Sequence, residues 1–211
     1  LVGSEMCIRD STKTVSSQLF HDWALRTVAI KPYPICHFNH APVDAALVLR
    51  GQHGLTPDEI ASVTIGLDER QFGVVVDPIE AKRAPQSEYD AKFSVPYAVA
   101  TALCKGRFTL ADLEDAARVD AEVLSLAKRI ECTHDDRSRY PDAFSGGVKI
   151  VLADGTELEH FEAVNRGAEG QLLSAEQVKA KFLDNCALTI PAGKAEQLWR
   201  AMLHLDEMKD V

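Results

Sequence analysis

One segment with an Asp-Gly pair constrains the fold of this chain more than any other feature. In residues 148–164, VKIVLADGTELEHFEAV, every second position from Val148 to Leu152 is apolar. This alternation is typical of a strand with one buried face, and Asp154-Gly155 favours a type I′ turn. The segment therefore predicts a β-hairpin. Its apolar phase changes in the second half, which predicts a β-bulge near Glu159.

Helical patterns with start signals fill much of the remaining chain. Thr56, Ser94, Thr109 and Ser174 each stand where a capping residue is expected. These elements favour an α+β fold in which a small, mostly antiparallel sheet packs with helices. Residues 12–30 are predicted to form a helix that leads into a short strand or loop. Further helices are predicted over residues 42–54, 94–105, 109–128 and 174–185 and after Pro191, strands over 61–69 and 129–134, and a loop-rich stretch over 70–90.

The composition excludes several classes of partner. The formal net charge is −9, so the surface repels phosphate backbones and anionic lipid. No apolar run approaches the roughly 20 residues that span a bilayer. The five cysteines are scattered and none has CxxC spacing, which is typical of reduced thiols in the cytosol. We therefore expect a cytoplasmic protein that binds neither nucleic acid nor membrane.

The first eleven residues, LVGSEMCIRDS, resemble the translation of a transposon-end adapter used in sequencing libraries. We expect residues 1–11 to be an artefact without function. On that hypothesis the natural chain continues upstream, and this sequence is the carboxyl-terminal part of a larger protein.

The candidate chemistry lies in one loop, KPYPICHFNHAP, residues 31–42. Its three prolines prevent a regular helix. A lysine with two histidines can hold a carboxylate-rich substrate and move protons near neutral pH, but a solvated surface loop with a structural histidine remains the alternative. His37 and His40 lack a convincing third ligand, since Asp44 is poorly placed by sequence, so no metal is predicted. The loop's candidate residues are Lys31, Tyr33, Cys36, His37 and His40.

Three segments together resemble the MmgE/PrpD family. They are KPYPICHFNHAPVDAALVLR from Lys31, AKFSVPYAVATALCKGRFTLADL from Ala91, and VKIVLADGTELEHFEAVNRGAEGQLLSAEQVKAKF from Val148. The resemblance implies a two-domain lyase or isomerase with a large helical domain and a smaller α+β domain. It also implies proton transfer beside a carboxylate without metal or cofactor, as in dehydration or decarboxylation of 2-methylcitrate- or cis-aconitate-like polycarboxylates.

The family pattern assigns roles to individual loop residues. It implies that Lys31 and His40 are catalytic, Lys31 as a cation for a substrate carboxylate and His40 to orient substrate or shuttle a proton. Cys36 stands where some members have a histidine close to the substrate, which puts its role in doubt. Cys36, His37 and Tyr33 are expected to contact substrate.

The resemblance also predicts how the chain is divided. Residues 12–30 would end the helical domain, 31–170 would form the α+β domain, and 171–211 would be helices that dock on the missing helical domain. A homodimer of the whole protein, and no turnover by this chain alone, are expected. The alternative is a binding or dimerisation module without chemistry of its own.

Overall fold

The structure, a computed structural model, describes residues 28–207. The suspected adapter segment and nearly all of the helix predicted over residues 12–30 lie outside this range. The predicted α+β class is confirmed. The strands are β1 Ile60–Leu67, β2 Ile130–His134, β3 Gly146–Leu152 and β4 Glu157–Glu162; the α-helices are α1 His40–His53, α2 Phe72–Val75, α3 Ile79–Arg83, α4 Glu88–Lys92, α5 Val95–Lys105, α6 Asp115–Arg118, α7 Ala121–Ala127, α8 Ala175–Cys186 and α9 Ala192–Met202.

The four described strands form one sheet in the order β2-β1-β3-β4. β1 pairs with β2 in parallel and with β3 antiparallel, and β3 pairs antiparallel with β4. The mostly antiparallel sheet predicted from the hairpin is therefore correct. The single parallel pair follows from the helical connection between β1 and β2, because parallel neighbours need a crossover.

Two details of the hairpin prediction are wrong. The turn is centred on Ala153 and Asp154, since the Gly155 amide donates to the Leu152 carbonyl at 2.9 Å, and Gly155 follows with a φ of 87°. The expected bulge near Glu159 is absent, because β3 and β4 pair without a break from Gly146–Glu162 to Val151–Glu157.

The apolar phase change that suggested a bulge has another cause. Phe161 pairs with Gly147, so it lies on the sheet face opposite to Ile150 and Leu158. The guanidinium of Arg137 covers its ring at 4.6 Å from the centroid. A cation over an aromatic face is a favourable contact, so β4 carries apolar side chains on both faces in an unbroken register.

The core lies between one face of the sheet and helices α1 and α5, which also pack on each other. α1 begins at His40, two residues earlier than predicted, and Pro42 lies in its first turn. Proline is tolerated there because backbone N–H groups of the first turn have no partner within the helix. Ser94 caps α5 and Gly106 ends it with a φ of 68°, as predicted. Tyr97 of α5 is fully buried and donates to the Asp112 carbonyl at 2.6 Å.

Two stretches differ from the sequence prediction, in opposite directions. Residues 70–90, expected to be loop-rich, contain α2, α3 and α4. Lys82 donates to the carbonyls of Val74 at 2.8 Å and Phe93 at 2.7 Å and so links these short helices to the start of α5. The single helix predicted over 109–128 is instead a 3-10 turn, Leu110–Leu113, followed by α6 and α7.

The two carboxyl-terminal helices form as predicted and pack against each other through Phe182 and Trp199, whose ring centroids are 5.4 Å apart. α8 buries no residue completely. Apolar side chains of this pair, of its connection and of the turn after it remain open to solvent, among them Leu188, Leu198, Met202, Leu203 and Leu205. No helix among residues 28–207 has the length and apolar character needed to cross a membrane.

Candidate active site

The proline-stiffened loop runs irregularly to a 3-10 turn, His37–Asn39, that leads directly into α1. Its middle is anchored to the end of α4. The Cys36 amide donates to the Lys92 carbonyl at 2.8 Å, and the Asn39 side-chain amide reaches the same oxygen at 3.3 Å. The prolines prevent the backbone hydrogen bonds of a helix in this loop. The bonds to Lys92 fix the conformation of the loop instead.

The Ile35 carbonyl brings the two predicted catalytic residues together. Lys31 Nζ donates to this oxygen at 3.2 Å, and His40 Nε2 lies 3.3 Å from it. Lys31 is exposed, whereas His40 has no exposed surface. An ammonium has three hydrogens, so Lys31 can donate to Ile35 and still present donors to an anion from solution.

His37 lies between an aromatic ring and a side-chain amide. Its ring stacks on Phe144 with centroids 4.5 Å apart, and its Nε2 is 2.9 Å from Asn165 Nδ2. Burial and the nearby Lys31 charge lower the pKa of His37 to about 4. Burial, with His37 close by, lowers the pKa of His40 to about 3. Both rings are therefore neutral near pH 7, and each can accept a hydrogen bond at one nitrogen and donate one from the other.

A buried carboxylate, Asp44, joins the loop to the segment that follows the hairpin. Its Oδ1 accepts from the Tyr33 hydroxyl at 2.6 Å and from Arg166 Nε at 2.7 Å. Its Oδ2 accepts from the Arg166 backbone amide at 3.0 Å. The Arg166 guanidinium also donates to the Tyr33 hydroxyl. Burial, followed by the Asp44 charge, raises the pKa of Tyr33 far above its ordinary value, so this hydroxyl keeps its proton.

Gly167 makes the closest contact between the two segments. The Ile30 amide donates to the Gly167 carbonyl at 3.0 Å. Gly167 has a φ of 84°, and a Cβ built on it would lie 1.9 Å from the Ile30 carbonyl oxygen. Only glycine fits both the backbone conformation and the contact. The residue before Lys31 is therefore held by the chain after the hairpin.

The structure brings the predicted residues together but at different depths. Lys31 is exposed, Cys36 and His37 are half-buried, and Tyr33 and His40 are buried. The hydroxyl of Tyr33, which we expected to contact substrate, is engaged by Asp44 and Arg166. Among the described residues, no group of three histidine, cysteine or acidic side chains could hold a metal ion.

Sequence reasoning missed three residues of this site: Asp44, Asn165 and Arg166. Asp44 was considered only as a metal ligand. The Asn-Arg-Gly run shortly after the hairpin was the available signal for Asn165 and Arg166, because functional residues often lie on loops that rigid elements position.

A groove with a volume of about 870 Å³ lies next to this network. Tyr33, Asp44 and Arg166 line one part of it, and Arg107 and Lys181 contribute positive charge elsewhere. Lys31, His37 and His40 do not line it. Of the five candidate residues, only Tyr33 lines the groove, where it lies with its hydrogen-bond partners Asp44 and Arg166.

Comparisons with known proteins agree with this architecture. Residues 33–207 match the model of the MmgE/PrpD C-terminal domain. The chain is 26% identical over 200 residues to a cis-aconitate decarboxylase of Mus musculus, covering 90% of this chain and 39% of that protein. It is 29% identical over 187 residues to a 2-methylcitrate dehydratase of Cupriavidus necator, covering 81% of this chain and 37% of that protein. The chain thus spans about two fifths of the length of these curated relatives.

Replacing Gly167 tests whether the two segments hold each other. Gly167→Ala should speed hydrogen exchange of the Ile30 amide, because the new methyl group displaces the Ile30 carbonyl. Gly170 is a matched control, since its φ is 89° and nothing lies within 4 Å of its Cβ position. Gly170→Ala should lower the free energy of unfolding by about 1–2 kcal/mol, because alanine is strained in the left-handed backbone conformation. Gly167→Ala should lower it by about 1 kcal/mol more, because the hydrogen bond to the Ile30 amide is lost as well. The exchange rate of the Ile30 amide is measured by NMR. Equal rates in the two variants would show that the Gly167 contact does not hold the two segments together.

Proposed function

Because the chain belongs to the MmgE/PrpD family, we propose that it is the carboxyl-terminal part of a lyase that acts on a small polycarboxylate. The relatives named as dehydratase and decarboxylase support a substrate resembling 2-methylcitrate or cis-aconitate. The observation that carries the proposal is the exposed ammonium of Lys31, held by the Ile35 carbonyl at 3.2 Å beside the half-buried His37.

Lys31 is suited to bind one substrate carboxylate. A charge-assisted hydrogen bond from an ammonium is about twice as strong as a neutral one, and the Ile35 carbonyl restricts where the ammonium can point. A polycarboxylate needs several such donors to offset its desolvation. In our proposal the others come from a helical domain outside this chain, which spans only part of its relatives.

His40 acts from beneath the loop in this proposal. Its lack of exposed surface and its contact with the Ile35 carbonyl favour the orienting role over direct proton transfer, because a catalytic base must reach the substrate hydrogen within about 2.6–3.2 Å. His37 and Cys36 are the more accessible neighbours of Lys31 and stay our candidates for substrate contact.

A kinetic test in the whole enzyme addresses Lys31 directly. Lys31→Ala should lower kcat/KM with a 2-methylcitrate- or cis-aconitate-like substrate about 10- to 150-fold, the loss expected for one hydrogen bond to a charged group. His40→Ala should also lower the rate, by releasing the Ile35 carbonyl. Lys128, exposed just after α7, gives a control variant, Lys128→Ala, with unchanged rate. Wild-type rates in folded Lys31→Ala would remove Lys31 from the site.

A second candidate, an association module, is favoured by the exposed side of α9. Leu198 is 44%, Met202 51% and Leu203 60% exposed. Contiguous exposed apolar side chains mark surfaces that bind protein. In this proposal the surface binds a second copy of the protein or the helical domain expected from the family.

Sedimentation tests this candidate. The 211-residue chain should self-associate as its concentration rises, and Met202→Lys should weaken that association by placing a charge in the apolar surface. Val119 is 72% exposed and lies outside α8 and α9, so Val119→Lys is the matched control. A monomer at every concentration, or equal effects of the two variants, would contradict an association surface on α9.

A further inference from the structure

Asn165 makes two contacts that together define its orientation. It has no exposed surface and follows the hairpin directly. Its Nδ2 lies 2.9 Å from the Arg166 carbonyl oxygen and 2.9 Å from His37 Nε2. Asn165 therefore connects the chain after β4 to the candidate loop at a distance of 128 residues in sequence.

The Arg166 carbonyl decides which way the Asn165 amide faces. A carbonyl oxygen can only accept a hydrogen bond, so the Asn165 atom next to it must be the nitrogen. Turning the amide over would set two acceptors against each other. It would also move the nitrogen to the present position of Oδ1, which is buried and has no hydrogen-bond partner. Both hydrogens of the amide would then be buried without an acceptor, which costs more than the single unpaired oxygen of the present orientation.

The hydrogen position on His37 follows from this orientation. The second hydrogen of the Asn165 amide is directed at His37 Nε2, so this ring nitrogen must accept. A neutral imidazole accepts at one nitrogen and carries its hydrogen on the other. His37 is therefore neutral with its hydrogen on Nδ1. At His40 the arrangement is reversed, since Nε2 faces the Ile35 carbonyl and the buried Nδ1 has no partner.

We propose that Asn165 is a positioning residue that holds His37 as the Nδ1–H tautomer. His37 then meets a substrate oxygen as a hydrogen-bond donor through Nδ1, and Nε2 takes no part as a base. The role of His37 as a substrate contact rests on the proposed function; the tautomer does not. In functional histidines, the hydrogen bond made by one ring nitrogen commonly decides whether the other nitrogen carries the hydrogen.

The surroundings of His37 favour the neutral ring. Lys31 is the cation that acts on it, His40 is a second imidazole 4.8 Å away between centroids, and Phe144 stacks on it without charge. A hydrogen on Nε2 would also oppose the amide hydrogens of Asn165. These contacts agree with a pKa of His37 near 4.

NMR of the ¹⁵N-histidine-labelled 211-residue chain tests the tautomer without any substrate. Long-range ¹H–¹⁵N correlations near pH 7 should show His37 with its hydrogen on Nδ1. The signals of His37 are assigned by their loss in His37→Gln. A His37 ring with its hydrogen on Nε2 in the wild-type chain would overturn the proposal, even if every Asn165 variant failed to fold.

Two variants test whether Asn165 is the cause. Asn165→Asp replaces the donor by a carboxylate, so His37 should move its hydrogen to Nε2 and its pKa should rise by about one unit or more. Asn165→Ala should leave both tautomers populated. Asn185, exposed on α8, gives the control Asn185→Asp, which should change neither property. A folded Asn165 variant with the wild-type tautomer would refute the role of Asn165.

The two proposals fail separately. If the Lys31 variants of the whole enzyme retain wild-type rates while His37 carries its hydrogen on Nδ1, the proposed function fails and the tautomer assignment stands. If the rates fall but His37 carries its hydrogen on Nε2, the positioning role of Asn165 fails alone.

Discussion

The buried carboxylate of Asp44 is the constraint on which the candidate site depends. Removing a charge from water costs several kcal/mol unless partners replace the solvent. Asp44 is only 2% exposed, and its partners are Tyr33 before it and Arg166 after it in the chain. The charge can be buried only when both segments are in place. Folding of the candidate loop is thereby coupled to folding of the segment after the hairpin, although Asp44 and Arg166 lie 122 residues apart.

This coupling explains why reactive groups can sit on an irregular loop. Loops are mobile unless other elements hold them. Here the Gly167 carbonyl holds Ile30, the Asn165 amide holds His37, and the Lys92 carbonyl holds Cys36. Lys31 stays exposed among these fixed points. The result is an ammonium near two neutral imidazoles on a braced backbone, which suits the carboxylate binding proposed for Lys31.

Local signals in the sequence predicted the elements well, and long-range contacts limited the rest. Ser94 and Ser174 fix their helix starts through hydrogen bonds within three residues, so the sequence alone reveals them. In residues 70–90, Lys82 reaches the carbonyls of Val74 and Phe93, and no local pattern encodes those two contacts. The loop was found by composition, whereas the contacts that bring Asn165 to His37 and Arg166 to Asp44 each join residues more than a hundred positions apart.

Hydrogen exchange of Asp44→Asn compared with the wild-type chain tests the central claim most directly. Asparagine keeps the shape of the side chain but removes the charge that Arg166 balances. Exchange should rise together in residues 30–40 and 165–171, while the exposed control Asp184→Asn leaves both segments unchanged. Faster exchange in only one of these segments, or in neither, would show that Asp44 does not couple them.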